Sequence, residues 1–190
     1  VMTSGEAAMH AINQKKFGKT FYHLGPARDI SEFEKVKDNR TDLQSCDFIL
    51  CTGLFDGYEN ELDYYKDLLI KHVSKKLICT NPDLIVHRGN VEELCAGSVA
   101  KVFENLGGEV IYFGKPHKEV YNMCFESNEK VLAIGDNLRT DIKGANNLNI
   151  DSIFITEGVH RKEIDNFSDI NKLLEKYKVN ANFFQKELKW

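Results

Sequence analysis

The chain has 190 residues, of which 42% are hydrophobic and 28% charged, with a formal net charge of -4 at pH 7. These are ordinary globular values, and they argue against a disordered or fibrous chain. The negative charge and the absence of a basic block argue against nucleic acid or an anionic membrane as the main partner. No apolar run has the length of a membrane span and the start does not resemble a signal peptide, so a cytoplasmic protein is expected.

Short apolar runs alternate with amphipathic helical patterns along the chain, which is typical of an α/β fold. The predicted strands are Thr20–Leu24, Asp47–Thr52, Lys76–Cys79, Glu109–Phe113, Val131–Ile134 and Ser152–Ile155. The predicted helices are Glu6–Lys16, Glu59–His72, Val91–Leu106, Lys118–Phe125, Thr140–Leu148 and Asp169–Tyr177. A second strand–helix–strand run begins near Gly114, and we expect a domain boundary there.

The five cysteines form an odd, dispersed set without a CxxC pair: Cys46, Cys51, Cys79, Cys95 and Cys124. Most lie within apolar runs. This pattern favours reduced thiols in or near the core of a cytosolic protein, with a zinc site or a catalytic cysteine as the alternatives.

The segment GDNLRTD, residues 135–141, follows an apolar strand and places Asp136 at the strand tip, with Asp141 near the start of the next helix. Carboxylates at a strand tip are natural ligands for magnesium, which prefers oxygen donors. Thr140 and the helix-start amides after it could bind an anion or orient the first carboxylate. The alternative is a simple capped helix, in which Thr140 or Asp141 is the N-cap and Asp136 lies in a solvated turn.

The segment GKP, residues 114–116, also follows an apolar strand, and it precedes the aspartate loop by about twenty residues. Lys115 at that position can neutralise a phosphate or an aspartyl-phosphate, although a lone lysine after a strand is usually solvated. Because the carboxyl ends of parallel strands are the place for ligands in α/β proteins, the two segments together indicate one site.

GKP followed by GDNLRTD resembles motifs III and IV of the haloacid dehalogenase superfamily, and most of all its class IIA, NagD-like phosphatases. The run TNPD at residues 80–83 is similar to a turn of that family's cap domain. CAGS at 95–98 and TSGEA at 3–7 fit the same order. His87-Arg88-Gly89 follows the TNPD turn and could meet an anionic substrate, with a surface loop as the simpler interpretation.

The resemblance implies a haloacid-dehalogenase-like Rossmannoid core, present only in its C-terminal half, with an inserted α/β cap domain of the C2 type. Residues 1–113 would form the cap and residues 114–190 the C-terminal part of the core. The implied function is Mg2+-dependent hydrolysis of small phosphate monoesters, sugar phosphates or nucleotides, through an aspartyl-phosphate. The implied partner is therefore a small phosphorylated metabolite.

The resemblance also assigns roles to six residues of this chain. Lys115 would be catalytic, stabilising the phosphoryl group. Asp136 would be a magnesium ligand, with Asp141 a second ligand or a support close by. The implied substrate contacts are Asn81 and Asp83 on the TNPD turn, and Asn137.

One part of the family pattern is missing, namely the DxD motif whose first aspartate is the nucleophile. No aspartate of this chain is followed by another two positions later. LFDG at residues 54–57 follows an apolar strand as the nucleophile does, but Leu54 has no nucleophilic oxygen, and we expect a loop there. The pattern favours a chain that is N-terminally truncated relative to the family and inactive alone.

Two questions stay open at this level. Thr3 is either a phosphate-binding residue of the family's motif II or part of the turn that opens the cap. The protein is either a phosphatase or a non-catalytic remnant that retains a phosphate- and metal-binding loop, which an upstream DxD would decide. An oxidoreductase with a nucleotide cofactor would need a GxGxxG turn after a strand, and the sequence has none.

Overall fold

Apolar runs separated by helical patterns build a different parallel sheet in each half of the chain. The computed structural model describes residues 2–88, 91–126 and 128–189. It divides into the units Val1–Gly114 and Lys115–Trp190. Each unit combines helices with parallel strands, which confirms the predicted α/β class. The assignment of the first unit to a cap and of the second to a core stays a prediction.

The N-terminal unit contains a four-stranded parallel sheet and a separate hairpin. Its strands are β1 (Phe21–Leu24), β2 (Phe48–Cys51), β3 (Lys76–Cys79), β4 (Ile85–Arg88), β5 (Val91–Leu94) and β6 (Glu109–Tyr112). The sheet order is β1-β2-β3-β6, and β4 pairs with β5 antiparallel. All four residues of β2 are buried, as expected for the continuous apolar run of an inner parallel strand.

Helices of this unit cover the sheet and complete its core. They are α1 (Ser4–Asn13), a 3-10 segment (Ala27–Asn39), α2 (Leu62–Leu69) with a 3-10 turn (Ile70–His72), and α3 (Ala96–Asn105). Fully buried Val99 and Phe103 of α3 pack in one cluster with Ile49 and Leu77 of the sheet. Burial of this apolar surface is the main stabilising contribution to the unit.

Helix α3 ends at Asn105, one residue before the predicted end at Leu106, which is its C-cap. Gly107 has a φ of +92° and donates its N–H to the carbonyl of Glu104, while the N–H of Gly108 reaches the carbonyl of Phe103. These two bonds form a Schellman motif, in which glycine takes the left-handed position without a steric penalty.

The predicted start of α3 is wrong. Residues Val91–Leu94 form β5, and the helix begins at Ala96 after Cys95. The apolar and charged residues of VEEL fit either a helix or a strand, and pairing with β4 decides between them. The hairpin itself and the 3-10 segment Ala27–Asn39 were not among the predicted elements.

The C-terminal unit is built around a three-stranded parallel sheet. Its strands are β7 (Leu132–Gly135), β8 (Asp151–Ile155) and β9 (Phe183–Gln185), in the order β7-β8-β9. Its helical segments are α4 (Lys118–Tyr121), a π-helical turn (Leu138–Ile142), α5 (Lys143–Leu148), a 3-10 turn (Arg161–Glu163) and α6 (Phe167–Tyr177). Strand β9 was not predicted, and α4 is shorter than the predicted Lys118–Phe125.

The core of this unit lies on one face of its sheet. Leu138 and Ile142 of the π-helical turn are fully buried against Phe154 of β8, and Ile170 and Leu173 of α6 close the cluster. The loop that follows β7 is therefore anchored at its first helical turn by apolar packing. This anchoring leaves the polar residues just before the turn at the carboxyl end of the sheet.

The cysteines are all free, as predicted, and four of them are buried while Cys124 is exposed. Burial raises the pKa of the Cys79 thiol to about 12, so this side chain is an inert core residue at neutral pH.

Across the part of the chain that the structure describes, no helix is both long enough and apolar enough to span a membrane.

Thr3 caps the first helix. Its hydroxyl accepts a hydrogen bond from the N–H of Glu6 at 3.1 Å, and the Glu6 carboxylate accepts from the N–H of Thr3 at 2.9 Å. This reciprocal pair is a capping box. The Thr3 hydroxyl is therefore engaged with the helix backbone.

Replacement of the cap gives a direct test of its role in stability. Thr3→Ala removes the acceptor for the Glu6 amide and is expected to lower the free energy of unfolding by about 1 kcal/mol. Thr3→Ser keeps the hydroxyl and serves as the matched control, with a loss well below that of alanine. Urea unfolding followed by circular dichroism measures both. Equal midpoints for the alanine and serine variants would contradict a capping role.

Candidate active site

The loop after β7 is organised by the side chain of Asn137. Its Oδ1 accepts a hydrogen bond from the N–H of Arg139 at 2.9 Å, and Asn137 is thereby the N-cap of the π-helical turn. The helix was predicted to begin at Thr140, with Thr140 or Asp141 as the alternative cap. That start is wrong by two residues, because the turn closes with a wider π-helical pattern that residue spacing does not show.

The carboxylate of Asp141 connects this loop to the segment after Gly114. Its Oδ2 accepts the N–H of Asn137 at 3.1 Å, and its Oδ1 lies 2.5 Å from Nζ of Lys115. The Asp141 side chain is 12% exposed and that of Lys115 is 56% exposed. Residues 26 positions apart in the sequence thus form one charged pair, with the lysine end open to solvent.

Gly135 makes room for this carboxylate. A Cβ atom at Gly135 would lie 2.3 Å from Cβ of Asp141 and 2.4 Å from its Cγ. Real Cβ atoms do not approach so closely, so only glycine permits the Asp141 side chain to fold back over the end of β7. The glycine in the sequence pattern therefore has a steric explanation.

Asp136 faces the segment that follows β8. Its Oδ2 accepts a hydrogen bond from the N–H of Val159 at 3.0 Å. A Cβ atom at Gly158 would lie 2.1 Å from that same oxygen. An ionised carboxylate offers about four lone-pair positions on its two oxygens, so one amide bond leaves Asp136 able to ligate a cation.

A buried histidine contacts the loop after β7. His160 is 3% exposed, and its Nε2 lies 3.3 Å from the N–H of Leu138. Its Nδ1 lies 2.8 Å from Oε1 of Glu163, whose Oε2 pairs with Nζ of Lys176 at 3.1 Å. The hydrogen bonds from His160 and Lys176 lower the pKa of Glu163, so this carboxylate is ionised at neutral pH.

The remaining predicted site residues lie in the N-terminal unit. Oδ1 of Asn81 accepts the N–H of Asp83 at 3.1 Å, which shapes the TNPD turn. Asn81 lines a cavity of about 680 Å3 at the carboxyl ends of β1, β2 and β3. Asp83 is exposed. His87 and Arg88 form the end of strand β4, so the expectation of a surface loop is wrong for these two residues. Their side chains and Gly89 lie outside the described residues.

The structure therefore brings four of the six predicted residues into one loop region of the C-terminal unit, namely Lys115, Asp136, Asn137 and Asp141. Sequence reasoning missed the segment 158–160, which contacts that loop at two points. The signal available in advance was its position directly after a strand of a parallel sheet, where ligand-site residues collect.

Comparison with known proteins identifies a matching family model and several similar proteins. A family model described as HAD-hydrolase-like matches residues 112–176. Ribonucleotide monophosphatase NagD of Escherichia coli (strain K12) is 26% identical over 161 residues, which are 83% of this chain and 62% of NagD. A hydrolase of the haloacid dehalogenase-like family from Brucella suis has a TM-score of 0.72 at 31% identity, covering 84% of this chain and 65% of that one.

The chain belongs to the haloacid dehalogenase superfamily. Its similarity to NagD supports the class IIA, NagD-like group within the superfamily. A p-nitrophenyl phosphatase from Archaeoglobus fulgidus shares the fold, with a TM-score of 0.74 at 14% identity over 97% of this chain and 70% of that chain. The chain spans less than two thirds of the length of NagD and of the Brucella hydrolase.

The site suits the magnesium ion that membership of the haloacid dehalogenase superfamily implies. Mg2+ binds through one or two carboxylates and keeps several waters, and Asp136 can supply such a ligand. Asp141 already accepts hydrogen bonds from Lys115 and Asn137. Within residues 2–88, 91–126 and 128–189, no three His, Cys, Asp or Glu side chains are grouped to hold a metal.

The steric argument at Gly135 leads to a prediction about stability. Gly135→Ala forces its methyl group into Asp141 and is expected to destabilise the C-terminal unit by about 1–3 kcal/mol, the usual range for overpacking. In an Asp141→Gly background the added methyl group has room, so the same change should cost much less. Chemical unfolding of the four proteins in this double-mutant cycle measures the coupling. Additive effects of the two substitutions would show that Gly135 is not required by Asp141.

Proposed function

We propose that this chain takes part in the Mg2+-dependent hydrolysis of small phosphate monoesters, sugar phosphates or nucleotides, through an aspartyl-phosphate. The observation that carries the proposal is the pairing of Lys115 with Asp141 in the loop that begins with Asp136. A cation and a carboxylate that can ligate a metal therefore belong to one loop region. Two of the similar proteins are named as phosphatases, one of ribonucleotide monophosphates and one of p-nitrophenyl phosphate, which supports the same class of reaction.

Lys115 is the proposed catalytic residue of the chain. Its ammonium group is more than half exposed while Asp141 holds it by one carboxylate oxygen. An ammonium group has three donor positions, so it can contact a phosphoryl oxygen while it remains paired. A fixed positive charge of this kind stabilises the negative charge that develops during phosphoryl transfer.

Asp136 is the proposed magnesium ligand, and Asp141 either joins it or fixes Lys115 beside it. The bond from the Val159 N–H holds one oxygen of Asp136 in place, so the carboxylate is oriented before a cation arrives. A bound Mg2+ would neutralise the charge on the phosphoryl oxygens. The contacts of Asp141 with Lys115 and Asn137 favour the supporting role for this residue.

The remaining proposed contacts concern the substrate. Asn137 caps the turn with its side-chain oxygen, and its amide nitrogen is free to face a ligand once that cap is formed. Asn81 beside the cavity and exposed Asp83 are proposed to contact the leaving group. Their partner in this proposal is a small phosphorylated metabolite.

The absence of an aspartate nucleophile limits the activity that these 190 residues can have alone. They contain no DxD pair, and the aspartyl-phosphate route needs an aspartate that attacks phosphorus as well as one that transfers the proton. We therefore propose that the chain by itself does not turn over phosphate esters. The same observation favours a second candidate, a non-catalytic module that keeps the phosphate- and metal-binding loop.

Metal binding at Asp136 can be tested on the chain as it stands. Mn2+ is used as a paramagnetic substitute for Mg2+, and the amide signals around residues 136–141 are expected to broaden selectively. Asp136→Asn should weaken binding by about 10-fold or more, whereas Asp165→Asn, which alters an exposed aspartate of the same unit, should leave it unchanged. Broadening that ignores the Asp136 substitution would rule out this residue as the ligand.

Turnover is tested in a chimera in which this chain replaces the matching segment of NagD. The chain alone is expected to release phosphate from p-nitrophenyl phosphate on the order of a million-fold more slowly than NagD, as when other hydrolases lose a nucleophile. The chimera should be active with Mg2+ and should lose about 100-fold or more on Lys115→Met. The exposed lysine before β7 supplies the control Lys130→Met.

Two outcomes would overturn parts of this proposal. Phosphate release by the chain alone at a rate near that of NagD would refute its predicted inactivity. A chimera whose activity survives Lys115→Met as well as it survives Lys130→Met would refute the catalytic role of Lys115. A folded chimera that binds the metal without turnover would favour the non-catalytic module.

A further inference from the structure

The segment Gly158–His160 contacts the loop after β7 at two neighbouring points. The N–H of Val159 donates to Oδ2 of Asp136 at 3.0 Å, and the next residue, His160, receives the N–H of Leu138 at 3.3 Å. One short stretch of backbone therefore fixes both the side chain at the start of the loop and the amide two residues later.

The hydrogen bonds of His160 define its tautomer. A backbone N–H only donates, so Nε2 must present its lone pair to Leu138. The ring proton is then on Nδ1, where it points at Oε1 of Glu163 at 2.8 Å. Glu163 is held in turn by Lys176 at 3.1 Å. The donors run in one direction, from the Leu138 amide to the ring and from the ring to the carboxylate.

Burial makes this arrangement rigid. His160 is 3% exposed and lies between the rings of Phe154 and Tyr177, at centroid distances of 6.1 and 5.1 Å. Water cannot readily replace the imidazole at such a depth. Loss of the ring acceptor would therefore leave the buried Leu138 amide without a partner, which is costly in a packed interior.

The close approach of the Gly158 backbone to Asp136 distinguishes a positioning role of His160 from ordinary core packing. A Cβ atom at Gly158 would lie 2.1 Å from Oδ2 and 2.2 Å from Cβ of Asp136. The backbone here approaches the Asp136 carboxylate as closely as glycine allows. A histidine that only filled the core would not require the preceding backbone to be fitted around a carboxylate.

We propose that His160 is a positioning residue for the Asp136 carboxylate, acting through Leu138 and Val159 and itself oriented by Glu163. The inference rests on the proposed function, in which Asp136 ligates Mg2+. His160 touches neither substrate nor metal in this role. It fixes the loop so that the free lone pairs of Asp136 point in one direction before the ion arrives, as supporting groups do in other metal sites.

Four variants of the full 190-residue chain separate this role from folding. His160→Leu removes both ring nitrogens, while His160→Gln keeps an acceptor for Leu138 and a donor for Glu163. Glu163→Leu leaves the ring in place but removes the acceptor that selects the Nδ1–H tautomer. Glu157→Leu is the matched control, because Glu157 is exposed and pairs only at the surface with Lys186.

Two readouts are measured on each variant. The first is the imidazole tautomer and the Leu138 and Val159 amide shifts, from nitrogen-15 NMR of the metal-free chain. The second is Mn2+ affinity at residues 136–141. We expect the Nδ1–H tautomer in the wild-type chain and a mixture in Glu163→Leu. Mn2+ affinity should fall about 10-fold or more in His160→Leu, less in Glu163→Leu, and little in His160→Gln or Glu157→Leu.

Each contrary result has a definite meaning. An Nε2–H tautomer in the wild-type chain, or unchanged Mn2+ affinity in a folded His160→Leu variant, would overturn the positioning role. If His160→Leu fails to fold, Glu163→Leu decides, since its mutated side chain is partly exposed. Absence of Mn2+ binding in the wild-type chain would refute the proposed metal site, and the tautomer and the amide shifts would still show whether His160 fixes the loop.

Discussion

The carboxylate of Asp141 is the contact on which the arrangement of this site depends. It accepts the Asn137 amide on one oxygen and the Lys115 ammonium on the other. Through these two bonds it connects the segment after Gly114 with the loop after β7. The contact is possible only because Gly135 has no side chain. A single glycine thus permits a carboxylate to organise two segments, and the lysine takes its position as a consequence.

The geometry of the parallel strands explains why the segment that starts at Gly158 contacts the loop after β7. Strands β7 and β8 are paired in register, with Gly135 opposite Phe154. Their carboxyl ends meet at the same edge of the sheet, so Asp136 and the segment that starts at Gly158 are neighbours. The backbone amide of Val159 meets the carboxylate directly. The packing of Leu138 in the apolar core of the C-terminal unit then holds the loop in place.

Sequence reasoning predicted β1, β2, β3, β6, β7 and β8 because each is a short apolar run, and it missed β4, β5 and β9. It chose its candidate site residues mainly because two motifs stand at strand ends. It failed where local preference is ambiguous. VEEL at residues 91–94 suits a helix or a strand, and only pairing with β4 settles the matter. The Gly-Asn pair between the two runs was an available hairpin signal.

His160 shows a different limit of prediction. It lies 22 residues from Leu138 in the sequence, and no periodic spacing connects the two. A buried histidine becomes visible as a supporting residue only when its two ring nitrogens are assigned to partners. The same holds for Asp141, whose residue type suggests a metal ligand while its contacts with Lys115 and Asn137 favour a supporting role. The residue type is known from the sequence, but the contacts of the side chain in the fold determine which of its possible chemical roles it has.

Two aspartates five residues apart therefore have different chemical capacities. Asp141 is nearly buried and has an ammonium group on one oxygen and an amide on the other. Its charge is already compensated, which weakens its attraction for a second cation. Asp136 receives an amide, a neutral donor, and keeps its full negative charge. A divalent cation gains most from the uncompensated carboxylate, so the electrostatics of the loop favour the proposed role of Asp136 as the ligand and that of Asp141 as the partner of the lysine.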